Sequence, residues 1–88
     1  MRIIDGFRLR NIMGQASIVG EGVKQIDFNK LITLNDSAAY LWESIEGKDF
    51  SIATLANLLM KKYGIDAETA LKDATTIANK WVEIGVVE

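Results

Sequence analysis

The chain has 88 residues, 49% of them hydrophobic, which is enough for one core and one domain over residues 1–88. It contains neither Cys nor His, which excludes disulfides, thiolate metal sites, a conventional Ser-His-Asp triad and the commonest metal ligand. The net charge of −2 is unevenly spread: residues 1–34 sum to +2 and residues 35–88 to −4, a mild split that a solvated surface accounts for.

The opening "MRIIDGFRLR" is charged throughout and lacks the apolar core of a signal peptide. Uncharged stretches such as 11–20 are too short and too interrupted to cross a bilayer. The expectation is a soluble, cytoplasmic protein with no membrane partner.

In chain order, "FRLRNI" at 7–12 starts with the alternation of a half-buried strand, Phe7 and Leu9 against Arg8 and Arg10. "MGQ" places Gly14 where a hairpin needs positive φ, and "ASIVG" at 16–20 reads as the return strand. Residues 23–30 mix apolar anchors (Val23, Ile26, Phe28) with turn formers (Asp27, Asn29). Leu31 to Leu34 is a third strand, rich in branched side chains. Asn35 then caps a helix from Asp36 to Ile45 that stops near Gly47. Ser51 caps a second helix, Ile52 to Tyr63, whose stripe is Ile52, Leu55, Ala56, Leu59 and Met60, and Gly64 ends it. Asp66 caps a third, Ala67 to Ile84, ended by Gly85, and "VVE" adds a short extended piece. The fold class is therefore α+β: a winged-helix-like domain, a three-stranded antiparallel sheet followed by three helices, β-β-β-α-α-α.

Groups for catalysis are missing. The acids sit at caps and on the surface with no carboxylate-rich motif for a divalent cation, and "GEG" at 20–22 lacks the Lys and the helix of a phosphate loop. The expectation is a binding module: no enzyme, no cofactor, no metal. A winged helix first suggests DNA. Yet helix three sets Lys72 and Lys80 against Asp66, Glu68, Asp73 and Glu83, a net of −2 that repels phosphates. DNA binding is thus the weaker alternative, and nucleic acid is not an expected partner.

Helix three is also apolar over nearly half its circumference. Ala70, Ala74, Ile77, Trp81 and Ile84 form a central stripe, which Leu71, Thr75, Ala78 and Val82 extend along one shoulder. That shoulder either packs within the domain or walls a groove for another molecule. The third strand offers a second wall, since "LIT" carries no charge, Pro or Gly to protect an open edge. An extended peptide could add there as a strand. The segment 23–30, or a second copy of the chain in a homodimer, could cover the edge instead.

At this point the chain resembles the coenzyme PQQ synthesis protein D (PqqD) family. The resemblance spans nearly all of it, through "LITLNDSAAYLWESIEG", "IATLANLLMKKYGID" and "ALKDATTIANKWVEIGVV". The matching positions run Leu34, Asn35, Ala38, Ala39, Leu41, Trp42, Gly47, Tyr63, Gly64, Asp66, Asp73, Ile77, Trp81, Gly85 and Val86. The resemblance implies a non-catalytic recognition element for ribosomally made peptides. It would act as a peptide chaperone, binding the leader of a precursor beside strand three and against helix three. It would present the leader to a modifying enzyme, often a radical S-adenosylmethionine protein. Carried over by position, the strand contacts are Lys30, Leu31, Ile32, Thr33 and Leu34, and the helix contacts Leu71, Thr75, Ala78 and Val82. An acidic leader would suit Arg8, Arg10 and Lys30. The chain departs from the family in having Ala at 74 and 78 where larger aliphatics are common, and Trp81 where Leu is frequent.

Overall fold

The computed structural model describes residues 1–20 and 32–88, and the segment 23–30 lies outside the described residues. Three strands, β1 (Phe7–Ile12), β2 (Gln15–Gly20) and β3 (Ile32–Thr33), precede three helices, α1 (Asp36–Ile45), α2 (Ile52–Tyr63) and α3 (Ala67–Ile84). The sheet is antiparallel in the order β1-β2-β3, with β2 central. This is the α+β arrangement expected from the sequence.

The β1–β2 connection is a two-residue turn in which both Met13 (φ 54°) and Gly14 (φ 81°) have positive φ. That pair is the type I′ geometry, whose twist matches the flanking strands. Gly14 meets it without strain, whereas the fully exposed Met13 does not. Across the hairpin, Leu9 opposes Ile18 on the inner face, while Arg8 and Arg10 point to the other.

The helices start and stop where local chemistry dictates. Asn35 Oδ1 accepts the Ala38 N–H at 2.8 Å, opening α1. Ser51 and Thr54 form a reciprocal capping box at 3.2 and 3.1 Å, opening α2. Asp66 Oδ1 accepts the Thr69 N–H at 2.9 Å, opening α3. Donors from Thr69, its hydroxyl first and then its backbone N–H, hold the Asp66 carboxyl below the usual carboxylate range. At the far end of α3, Gly85 takes φ 83° and both it and Val86 donate to the Trp81 carbonyl at 3.1 Å.

The inner face of the sheet and the three helices share one core. Leu41, Trp42 and Ile45 from α1, Leu55 and Leu59 from α2, and Ile18 and Leu34 from the sheet are buried in it. Helix α3 contributes Ala70, Ala74, Ala78 and Trp81. The three alanines recur every four residues, so they present a shallow ridge against which α2 packs closely. The volume they give up is supplied by Trp81, whose ring meets Trp42 edge-on at 5.4 Å and Phe50 at 6.4 Å. The small alanines and the large Trp81 are thus complementary parts of one packing solution. Trp42 Nε1 is buried without a hydrogen-bond partner among the described residues, a cost of roughly 1–3 kcal/mol that its packing offsets.

One element escapes sequence reading. Residues 2–4 pair with 86–88 through Arg2 N–H to Glu88 O (2.9 Å), Glu88 N–H to Arg2 O (2.9 Å) and Ile4 N–H to Val86 O (3.0 Å), with a bridge between Ile3 and Val87. Met1 and Phe50 exchange a further pair at 2.7 Å. The extended reading of "VVE" is therefore realised by pairing with the first residues of the chain.

A trough between β3 and α3

The trough begins with the way β3 is attached. Ser17 opposes Thr33 and Ile18 opposes Ile32, while the Leu34 N–H donates to Ala16 O at 2.8 Å. Gln15 Nε2 donates to the Leu34 carbonyl at 3.2 Å. Both backbone groups of Leu34 are thus turned toward β2. Facing residues of an antiparallel ladder alternate between bonded and non-bonded pairs, so the N–H and C=O of Thr33 point the other way. Among the described residues no strand pairs with that outer edge.

Alongside this edge lies a cavity of about 350 Å³. Ile32, Thr33, Leu34, Asn35 and Ala38 line one side, and Thr76, Ile77, Lys80, Trp81 and Ile84 the other. A second cavity of about 460 Å³ shares Asn35, Thr76 and Ile77 with it and continues to Leu59, Tyr63, Ile65 and Asp73. The two form one trough that follows α3 for much of its length. Asn35 anchors the junction, since its side chain is committed to capping α1 and to the Ser37 hydroxyl at 3.0 Å. The corner beyond Asn35 is braced by the Tyr40 and Tyr63 rings, edge-on at 6.3 Å, with Lys62 Nζ 4.6 Å from the Tyr40 centroid.

The positions picked out in the sequence fall into three groups. Lys30 and Leu31 lie outside the described residues. Ile32, Thr33 and Leu34 line the trough, Leu34 as part of its buried floor. The helix positions do not line it. Ala78 is buried in the core, and Leu71 and Val82 are about half exposed on the opposite shoulder of α3. Thr75 is half-buried on that same shoulder, and its hydroxyl is spent on the Leu71 carbonyl at 2.7 Å. The trough instead uses the shoulder bearing Asp73, Thr76, Ile77, Lys80 and Ile84. Apolarity alone favoured the first shoulder, whereas the second is the one that borders the cavity beside β3.

The described residues contain no cluster of carboxylates suited to a metal ion and no helix long and apolar enough to cross a membrane.

Residues 17–87 match the model of a family described as coenzyme PQQ synthesis protein D. Among solved structures, the chain is similar to TbiB1 in complex with the TbiA(beta) leader peptide. The TM-score is 0.76 at 16% identity, over 100% of this chain and 95% of that one, a likeness that establishes the fold. A search of curated proteins finds no match.

Proposed function

The chain belongs to the coenzyme PQQ synthesis protein D family, and from that premise we propose that it is a non-catalytic adaptor for a precursor peptide. The leader of the peptide adds as a strand on the outer edge of β3 and seats its side chains in the trough against α3. The adaptor then presents the peptide to a modifying enzyme, a radical S-adenosylmethionine protein being the class the family suggests. The observation that carries this reading is the outward backbone of Thr33 beside a largely apolar cavity of about 350 Å³. The fold shared with TbiB1, whose structure holds a leader peptide, supports it.

The proposed contacts are the backbone of Thr33, the side chains of Ile32 and Leu34, and the α3 wall of Thr76, Ile77, Lys80 and Ile84 over the Trp81 floor. One strand over one edge and one helix face is a small interface, and an affinity near micromolar, about −8 kcal/mol, is expected.

Amide NMR with a leader peptide from a neighbouring reading frame tests the reading. Shifts should cluster at 32–35 and 76–84. Shifts confined to Leu71, Thr75 and Val82 would move the site to the other shoulder. Concentration-dependent sedimentation with no peptide effect would favour pairing of β3 with its own copy.

A further inference from the structure

The trough carries one charged side chain at each end of its α3 wall, and their signs differ. Asp73 is the charged residue among those lining the cavity beyond Asn35, and Lys80 the one among those lining the cavity beside β3. Both are exposed, and neither has an ion-pair partner among the described residues. They are seven residues apart on one helix, about 10 Å along its axis. Side chains on one face of an extended strand lie two residues apart, and a pair four residues apart, about 13 Å, meets that distance through the length of Lys and Glu side chains.

The direction of an added strand follows from the topology. The chain runs from Ile32 toward Asn35, whereas α3 runs from Asp73 toward Lys80 and Ile84, the Ile32 end of the trough. Every described pairing in the sheet is antiparallel. A strand that continues the pattern therefore enters at Asp73 and leaves past Lys80. The residue opposite Thr33 shares the exposed, outward orientation of that side chain, and its two neighbours, opposite Leu34 and Ile32, point into the apolar cavity.

We infer that Asp73 and Lys80 read the charge order of the bound peptide, selecting a basic residue four positions before an acidic one, with an apolar residue midway between them on the same face of the strand. This rests on the strand-addition reading above and specifies its ligand. It differs from a uniformly acidic leader, which would meet Asp73 unfavourably at the entry end. Local sign order, rather than net charge, is then the discriminating property.

Three synthetic peptides of equal length separate the possibilities: Gly-Lys-Thr-Ile-Thr-Glu-Gly, its charge-exchanged form Gly-Glu-Thr-Ile-Thr-Lys-Gly, and a neutral form with Gln at both charged positions. Titration at low salt, followed by the amide shifts of Thr33, Ile77 and Ile84, is expected to rank them forward, neutral, exchanged. About tenfold should separate the first from the last, with the gap shrinking as salt rises. In the double variant Asp73→Lys, Lys80→Glu, whose exposed positions leave the core untouched, the ranking should reverse. Equal binding of all three at the trough would overturn the charge inference and leave strand addition standing. Absence of shifts at Thr33, Ile77 and Ile84 with every peptide would overturn both.

Discussion

Asn35 does two jobs at one position: it takes over the chain after β3 and supplies the first hydrogen-bond acceptor of α1. Asn35→Ala should cost about 1 kcal/mol, lowering the calorimetric melting midpoint by roughly 4–8 °C for a domain of this size. Asn35→Ser should restore most of the loss. An unchanged midpoint for the Ala variant would mean that the cap contributes nothing. Met13 is the converse case, a fully exposed side chain held at positive φ. Met13→Asn converts the turn to Asn-Gly and should raise stability by up to about 1 kcal/mol, read from the denaturant midpoint. Asp66 adds a pH dependence. Its folded pKa lies below the ordinary 3.8, so the stability it contributes is present above that value and lost as pH falls through the folded pKa. An Asp66→Asn variant should therefore lose less stability than the wild type across that acid window in parallel urea titrations.

At the scale of elements, the three helices are legible from residue types at their ends. Asn35, Ser51 and Asp66 open them and Gly64 and Gly85 close the last two, so the observed bounds of α1, α2 and α3 coincide with those expected. The hairpin is legible too, because Gly14 and the alternation of Phe7 to Arg10 are local signals. Two features lack such signals. The pairing of residues 2–4 with 86–88 joins short segments from opposite ends of the chain, with no repeating pattern to announce it. Which α3 shoulder borders the cavity beside β3 is a tertiary fact that a helical wheel does not contain. The two shoulders can be told apart by experiment. Ile84→Glu should weaken leader binding by tenfold or more, since it places a charge in an apolar trough, while Val82→Glu on the opposite shoulder should leave affinity within about twofold. Equal losses in a calorimetric titration would assign the peptide to neither wall alone.

For the whole molecule, the economy of α3 is the governing feature. Three alanines bring α2 close, and the single large ring of Trp81 packs against Trp42 of α1 and against Phe50. Trp81→Ala should cost about 3–5 kcal/mol, a large share of the stability of a domain this small. Far-UV circular dichroism should then show a chain substantially unfolded near body temperature. The same ring has an optical consequence. Trp81 forms the floor of the trough while Trp42, the second tryptophan of the chain, lies behind it, away from the trough lining and 5.4 Å from it, edge to face. Two indoles so close and so oriented couple their electronic transitions, giving a paired signature in ultraviolet dichroism that neither ring has alone. A side chain seated on the floor perturbs one member of the pair and leaves the other in its fixed surroundings, so occupancy is read as the splitting of that signature, with no label attached to the protein or the peptide.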